Sequence, residues 1–168
     1  MICGNLNKLK TVLDRCRNER KKIVFTNGCF DLLHTGHVRY LKAAKKLGDV
    51  LIVGVNSDAS VKTLKGKHHP IVPEEERAEI VDALKPVDYV VLFHESNPEA
   101  LIQLVKPDIH VKGGDYTMAD IPEAPLVKSL GGKTVILKEV EGKSTSNIIQ
   151  QILQSYITDE GEAVRHNL

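Results

Sequence analysis

Two histidines, His34 and His37, lie three residues apart at a point where a loop is predicted to become a helix. Before them, the apolar run over residues 23–25 is typical of a buried strand, and the Thr-Asn-Gly at 26–28 ends it. After them, apolar residues recur at three-residue steps over 38–47 and predict one buried helix face. Both imidazoles therefore belong to a helix N-terminus, where unpaired backbone N–H groups and the helix dipole favour a bound anion.

Phosphate is the anion that this arrangement suits. Both imidazoles can donate hydrogen bonds to phosphate oxygens, and a positive form is accessible near neutral pH when negative charge builds up at phosphorus. We expect Gly36 to allow a tight turn, so that both rings face one point. A surface pair and half of a zinc site are the alternatives. Because no further ligands follow at the spacing of a tetrahedral site and the three cysteines are scattered, we predict no metal ligand.

Two other segments are candidates for phosphate binding. The polar stretch over residues 59–73 follows a buried strand and is interpreted as a loop, where Lys65 and Lys67 could gather phosphates; a solvated charged face is the alternative. The second segment is the Ser-Thr-Ser at 144–146, one of whose hydroxyls is predicted to cap a helix behind Lys143. The predicted apolar face of that helix consists of Ile148, Ile149, Ile152 and Leu153. Its exposed N–H groups predict a second anion site.

A Lys-Gly-Gly-Asp segment follows a short strand predicted over residues 109–111. The pair Gly113 and Gly114 permits a close approach of the backbone to a ligand. On either side, Lys112 and Asp115 offer one donor and one acceptor. A plain turn needs only one glycine and no lysine, so this segment is a candidate binding loop.

Length and charge narrow the class of protein. At 168 residues the chain fits one domain with a real core. Lysine plus arginine number 23 and aspartate plus glutamate 22, and a net charge of +1 offers no basic field for nonspecific nucleic-acid binding. Three cysteines and no signal peptide or membrane-length apolar run favour reduced thiols and a cytoplasmic location. We expect neither a nucleic acid nor a membrane as partner.

Strand and helix patterns alternate along the chain and predict an α/β fold with a parallel sheet and right-handed crossovers. Residues 1–20 are predicted as an amino-terminal helix with Leu6, Leu9, Leu13 and Cys16 on its buried face. Residues 21–156 form the predicted catalytic domain, and 157–168 a loose tail. Ligands of such sheets bind at the carboxyl ends of the strands, where the loops described above fall.

The string TNGCFDLLHTGH resembles the His-x-Gly-His signature of the cytidylyltransferase-like nucleotidyltransferases. Further segments are similar to the heptose 1-phosphate adenylyltransferases: LGDVLIVGVNSDASVKTLKG, a Pro-x-x-x-Arg ending at Arg77, VKGGDY and EGKSTSNII. The resemblance runs from about Lys21 to about Leu153 and rests on several separated sites. It implies a Rossmann-like, three-layer α/β/α fold with a five-stranded parallel sheet.

The resemblance also implies roles at the matching positions. The triphosphate and the catalytic step would involve His34, His37, Lys65 and Lys67. The nucleotide would be bound by Asn27, Gly28, Cys29, Phe30, Gly36, Lys112, Asp115, Ser144, Thr145 and Ser146. The acceptor substrate would meet Asp31, Arg77, Gly113 and Gly114. For Arg77, which follows three glutamates, ion pairs along an exposed helix are the alternative.

The implied reaction is the transfer of AMP from ATP, with Mg²⁺, to a sugar 1-phosphate such as heptose 1-phosphate, by a homodimer. A cytidylyltransferase acting on glycerol 3-phosphate and an FMN adenylyltransferase are alternatives. Glu139 stands where the cytidylyltransferase pattern has arginine, which favours ATP over CTP. From another class, a nucleotide-sensing module would bind without turnover. A fragment of a class I aminoacyl-tRNA synthetase is disfavoured, because the chain leaves no room for a tRNA-binding domain.

Overall fold

The computed structural model describes residues 1–114, 117–138 and 142–156. Its strands are β1 (Ile23–Gly28), β2 (Val50–Asn56), β3 (Tyr89–Phe93), β4 (Ile109–Gly113) and β5 (Lys133–Leu137). Its helices are α1 (Leu6–Asn18), α2 (Thr35–Lys45), α3 (Asp58–Lys65), α4 (Glu74–Asp82), α5 (Glu99–Val105), α6 (Ala124–Ser129) and α7 (Thr145–Tyr156), with a 3₁₀ turn at Met118–Asp120. No helix within these described ranges combines the length and apolarity that a membrane crossing needs.

The five strands form one parallel sheet in the order β3-β2-β1-β4-β5. This confirms the predicted α/β fold, and the reason lies in the apolar runs, since β2 is buried along its entire length. The chain winds from β1 toward β3 and then returns to the other side of β1 with β4. The strand order therefore switches between β1 and β4, and a crevice is expected at the carboxyl ends of these two strands.

Two apolar layers sandwich the sheet. On one face, Phe25 and Ile52 pack with buried side chains of α1, α5 and α6. On the other face, Val24 and Val53 pack with buried side chains of α2 and α4. This alternation along β1 and β2 is the two-residue period of strands, and it places successive residues at the strand ends on opposite sides of the crevice.

The amino-terminal helix belongs to this domain. Ile2 forms a parallel bridge with Val90 of β3, and α1 contributes Leu9, Val12 and Leu13 to the core. The predicted buried face is wrong at one position, because Leu6 in the first turn is 56% exposed and Val12 is buried.

One other local prediction is wrong. Residues 58–65 form helix α3 where a loop was expected; Ser57 caps its first turn by accepting from the N–H of Ser60, and Gly66 ends it at a φ of 95°. The apolar pattern of this helix is weak, because its buried residues are Ser60 and Val61 and its last turn contains Lys62 and Lys65. The last helix, α7, is present as predicted, and its apolar face is left uncovered, since Ile152 is 49% exposed and α7 contains no buried residue. The predicted tail, 157–168, lies outside the described residues.

Candidate active site

His34 and His37 build the start of helix α2. His34 is the N-cap residue, with extended φ and ψ of −135° and 171°, and its Nδ1 accepts a hydrogen bond from the N–H of Gly36 at 3.1 Å. His37 reaches back, and its Nδ1 accepts from the N–H of His34 at 3.4 Å. This is a reciprocal capping arrangement made by two imidazoles, which occupy the place of the usual serine and glutamate. It confirms that both histidines lie at the helix start.

These hydrogen bonds fix the tautomers of both rings. A backbone N–H can only donate, so Nδ1 of His34 and Nδ1 of His37 must each be unprotonated. The ring proton of each neutral imidazole is therefore on Nε2. Both side chains line the same cavity, and their ring centroids are 4.0 Å apart. The helix end thus carries two N–H donors of the kind that phosphate oxygens accept.

The charge state of His37 differs from the expectation. Burial lowers its pKa to about 4, and the neighbouring charges of His34 and Lys65 act in the same direction. In the absence of a ligand, His37 is consequently neutral at pH 7. A bound phosphate would favour the protonated ring, because opposite charge raises the pKa of an imidazole.

Gly36 is required for a different reason from the predicted tight turn. Its backbone is helical, and a Cβ at this position would lie 2.7 Å from Nδ1 of His34 and 3.3 Å from Cβ of Lys143. Real Cβ atoms essentially never show the first distance, so the imidazole would have to move. The missing side chain makes room for the capping imidazole and for the segment that precedes α7.

The start of α7 lies beside the start of α2. Ser144 is the capping residue, since its Oγ accepts from the N–H of Asn147 at 3.1 Å. Thr145 uses its hydroxyl differently, donating to the backbone carbonyl of Asp31 at 2.7 Å. Two helix N-termini, α2 and α7, therefore meet at one cavity, with Lys143 between them. The sequence predicted a helix start at each of these two places, and the structure brings them together.

The loop between β1 and α2 is held in an unusual conformation. Phe30 and Leu32 both have left-handed backbone angles, with φ of 49° and 48°. Between them, the buried carboxylate of Asp31 accepts from the N–H groups of Ile71 and Val72 at 2.9 and 3.0 Å. Asp31 thus joins the segment before α4 to the histidine loop, and these backbone contacts occupy the carboxylate that was predicted for the acceptor substrate.

Arg77, predicted to meet the acceptor substrate, is not part of the cavity wall, and its ion pair is with Asp58 instead of with the glutamates of its own helix, which was the alternative. It is 1% exposed, and its guanidinium donates to the carbonyls of Val72, Cys29 and Asn56 and to the carboxylate of Asp58. These acceptors come from three separate segments. Arg77 therefore fixes the carboxyl ends of β1 and β2 relative to α4.

Tyr40 supports the floor of the cavity from α2. Its hydroxyl donates to the carbonyl of Val111 at 3.0 Å, so Thr26, 2.6 Å away, must donate to it. Burial raises the pKa of Tyr40 above its usual range and outweighs the opposing effect of the Thr26 hydrogen bond, so the hydroxyl remains a donor. A Cβ on Gly113 would lie 2.9 Å from the tyrosine ring. The absence of a side chain at Gly113, at the end of β4, therefore allows Tyr40 to pack against this strand.

The cavity has a volume of about 620 Å³ and opens at the crevice between β1 and β4. Of the predicted site residues, its wall contains Asn27, Gly28, Cys29, Phe30, Asp31, His34, Gly36, His37, Lys65, Lys112, Gly113, Ser144, Thr145 and Ser146. Three predicted residues within the described ranges are not part of the wall: Lys67, Arg77 and Gly114. Asp115 and Glu139 lie outside the described residues.

Sequence reasoning missed several residues of the wall, namely Tyr40, Asn56, Asn97, Glu123 and Lys138. Three of them carried a usable signal. Asn56 ends β2, while Asn97 and Lys138 follow β3 and β5, and polar residues near strand ends in an α/β fold belong to the ligand edge. Tyr40, within α2, and Glu123, before α6, carry no such signal.

A parallel sheet with two helix N-termini meeting at its switch point defines a nucleotide-binding α/β protein. A family model described as Cytidylyltransferase-like matches residues 25–155, and the chain belongs to this family of nucleotidyltransferases. The resemblance noted in the sequence is thereby confirmed.

Particular relatives agree with this assignment. The chain is 52% identical over 148 residues to a bifunctional protein HldE of Syntrophotalea carbinolica, covering 88% of this chain, and 51% identical over 152 residues to that of Geobacter metallireducens, covering 90%. It spans about 30% of the length of these relatives.

Solved structures also resemble this chain. A lipopolysaccharide core biosynthesis protein from Thermoplasma volcanium is 36% identical, with a TM-score of 0.61 over 73% of this chain and 99% of that one. A pantoate-β-alanine ligase from Francisella tularensis, 18% identical with a TM-score of 0.56 over 92% of this chain and 79% of that one, shares the fold.

Proposed function

We propose that this protein transfers AMP from ATP to a sugar 1-phosphate, with heptose 1-phosphate as the acceptor, and releases pyrophosphate. The observation that carries the proposal is the meeting of the α2 and α7 N-termini at one cavity that also holds two Nε2 donors and Lys65. A triphosphate is the ligand that needs so many convergent donors. The relatives named HldE and the lipopolysaccharide core protein support a sugar acceptor.

The proposed reaction is an in-line displacement. An oxygen of the acceptor phosphate attacks the α-phosphorus of ATP, the bond to the bridging oxygen of the β-phosphate breaks, and the electron pair leaves with pyrophosphate. The acceptor is already an anion, so no general base is needed. Catalysis then consists of alignment and of neutralising charge at the transferred group, for which His34, His37 and the two helix ends are the donors.

A protein nucleophile has no part in this proposal. Cys29 is the thiol in the cavity wall, and burial raises its pKa despite the opposing charges of Lys65 and Arg77. The thiol therefore stays protonated and is a poor nucleophile.

Mg²⁺ is proposed to arrive with the nucleotide. Within the described residues, no three carboxylate, histidine or cysteine side chains lie close enough together to hold a metal ion. The carboxylates of the cavity wall, Asp31, Asp120 and Glu123, do not form such a cluster. The triphosphate oxygens would therefore supply the ligands of the ion.

Pyrophosphate release tests the proposal. ATP or CTP is combined with each of four acceptors: heptose 1-phosphate, glycerol 3-phosphate, phosphoethanolamine and flavin mononucleotide. We expect release with ATP and heptose 1-phosphate. Release with CTP and glycerol 3-phosphate would favour the cytidylyltransferase, and release with ATP and flavin mononucleotide the FMN adenylyltransferase. ATP binding without release in any pair would favour the nucleotide-sensing module.

We further propose that the protein is a cytoplasmic homodimer. The apolar face of α1 is covered by its own domain and does not support pairing there. Ile152 and Leu153 of α7, each 49% exposed, are the better candidates for a contact between two copies. Light scattering of the wild type and of the double variant Ile152→Glu/Leu153→Glu tests this. We expect the wild type to be a dimer and the double variant to be a monomer. A monomeric wild type would contradict the proposal.

A further inference from the structure

One side of the cavity differs in chemistry from the side that holds the histidines. We define the basic lobe as the part with His34, His37, Lys65 and Lys143. The neutral lobe is the part with Asn27, Asn97, Lys112 and Glu123.

The strand register separates the two lobes. Phe25 of β1 and His110 of β4 are partners in the register, and their rings stack at 5.8 Å on the sheet face that packs against α1, α5 and α6. Asn27 and Lys112 are each two residues further along and therefore lie on the same face, at the carboxyl ends of the strands. The histidines of α2 stand on the opposite face.

The polar side chains of the neutral lobe contact one another and the buried ring of His110. Nζ of Lys112 lies 2.5 Å from Oε1 of Glu123 and donates to Oδ1 of Asn27 at 3.3 Å. Nε2 of His110 is 3.4 Å from the same Asn27 oxygen. Because the Asn27 oxygen accepts from Lys112, it must accept from His110 as well, so the His110 proton is on Nε2. The oxygen of Asn27 is thus held by two donors, and its NH₂ group is the end that remains for a ligand.

A buried, orphaned nitrogen supports this picture. His110 is fully buried, and within the described part of the chain its Nδ1 has no hydrogen-bond partner. Leaving such a nitrogen without a partner typically costs about 1–3 kcal/mol. The contact of Nε2 with Asn27 is the polar interaction that this ring makes. The cost is understandable if His110 serves to hold the amide of Asn27 in one orientation.

Within this lobe the charges of Lys112 and Glu123 cancel, and Asp120 and Lys138, which also line the cavity, add one charge of each sign. The side chain of Glu123 is 4% exposed, and although burial raises its pKa, the hydrogen bond and the charge of Lys112 outweigh burial and lower the pKa overall. Glu123 is therefore a carboxylate that neutralises Lys112. A phosphate placed here would meet that carboxylate and be repelled. A hydroxyl group suits the lobe, since it can donate to Glu123 and accept from Asn27 or Lys112.

We infer that the neutral lobe binds the hydroxyl-bearing carbon chain or ring of the acceptor, with Glu123 accepting from its hydroxyl groups and Asn27 donating to them. The inference rests on the proposed function. In-line attack requires the acceptor to approach the α-phosphorus from the side opposite the pyrophosphate. Since the donors for the pyrophosphate lie at the starts of α2 and α7, the acceptor comes from the side of β1, β4 and α6, where the neutral lobe is.

The test compares Glu123→Gln with the exposed control Glu99→Gln. The KM for the sugar 1-phosphate is measured at saturating ATP, and the Kd for ATP is measured by calorimetry without acceptor. We expect Glu123→Gln to raise the acceptor KM roughly tenfold to a hundredfold, as for a lost hydrogen bond to a charged group, and to change the Kd for ATP less than about twofold. Glu99→Gln should change neither. Where Glu123→Gln does not fold, Lys112→Met/Glu123→Gln replaces it, because it leaves no buried charge unpaired.

A second arm uses an acceptor analogue. With a deoxy sugar 1-phosphate, the wild type should lose affinity, and Glu123→Gln should no longer distinguish the two acceptors. A Kd for ATP that rises with the acceptor KM would overturn the inference, because the lobe would then hold the nucleotide ribose. Unchanged constants in Glu123→Gln would overturn it as well.

Failure of the proposed function gives a different result. In that case the wild type releases no pyrophosphate with any acceptor. Calorimetric binding of the sugar 1-phosphate to the wild type and to Glu123→Gln then still tests the lobe directly. Equal affinities, or no binding to either protein, would overturn the inference.

Discussion

His37 and Arg77 are both basic residues inside sequence motifs, but they have opposite surroundings. His37 lines the cavity and presents a ring N–H to it, whereas Arg77 is 1% exposed and directs its guanidinium at four groups of the protein itself. Removing His37 should therefore act on catalysis, and removing Arg77 on folding. A motif identifies residues that matter, and only the three-dimensional contacts show whether a ligand or the backbone is the partner.

The largest effect is expected for Arg77→Met. This change leaves the carbonyls of Val72, Cys29 and Asn56 without their buried donor. We expect the free energy of unfolding, measured with urea, to fall by about 3–5 kcal/mol, the range for breaking a buried charged network. Arg39→Met, at an exposed position of α2, is the matched control and should change little. A stable Arg77→Met protein with a raised acceptor KM would instead assign Arg77 to the substrate.

The histidines should show the reverse pattern. His34→Ala and His37→Ala each remove a donor from the phosphate site, and we expect kcat for AMP transfer to fall by about a hundredfold to a thousandfold. The free energy of unfolding should fall by only about 1 kcal/mol, the usual contribution of a helix cap. Exposed His94→Ala is the control. Wild-type turnover in both variants would refute the proposed mechanism.

The next prediction concerns His110, a buried histidine that makes the free energy of unfolding depend on pH. Burial, and to a smaller extent Lys112, lowers the pKa of His110 to about 4 against about 6.5 for an unfolded chain, with Glu123 opposing. Between these values the unfolded chain binds a proton that the folded chain does not, so stability falls as pH decreases from 6.5 to 4, by a maximum on the order of 3 kcal/mol.

Urea unfolding at several pH values measures this slope. His37 contributes in the same direction, because its pKa is lowered to about 4 as well. We therefore expect His110→Gln to flatten the slope in part. An unchanged slope would show that His110 is not the buried neutral ring described above.

The smallest of these effects is expected for Gly36→Ala. The added Cβ would lie 2.7 Å from Nδ1 of His34, so the ring must move away from its capping position. A displacement near 1 Å at a catalytic group costs up to about a hundredfold in rate, and we expect kcat to fall by roughly tenfold to a hundredfold. Gly4→Ala is the control, because a Cβ there meets nothing within 4 Å. Equal kcat values for the two variants would contradict the role of the capping ring.

Much of the fold follows from the sequence because strands and helices carry their periods openly. The apolar run at 50–55 predicts β2, and the three-residue steps after Gly36 predict α2. Helix α3 could not be predicted from the sequence, since a short helix with few apolar residues gives no clear period. The exposure of Ile152 on α7 also did not follow, because amphipathicity shows which face is apolar but not whether anything covers it.

The site divides in the same way. The histidines and the Ser-Thr-Ser cap could be located because an anion-binding helix end has a local signature. Glu123 could not, because its importance arises from Lys112 and Asn27, which lie far away in the sequence. The burial of Arg77 is likewise a tertiary property. Functional residues that form a local motif can therefore be predicted from the sequence, whereas residues brought together only by the folded sheet cannot.

The most direct test of the central claim is the product itself. ³¹P nuclear magnetic resonance follows a mixture of the protein, ATP, Mg²⁺ and heptose 1-phosphate, with His37→Ala as the matched variant. We predict two coupled resonances of a sugar nucleotide diphosphate, together with pyrophosphate, at a rate far lower in the variant. Formation of ADP and inorganic phosphate, or unchanged spectra with the wild type, would contradict nucleotidyl transfer to this sugar phosphate.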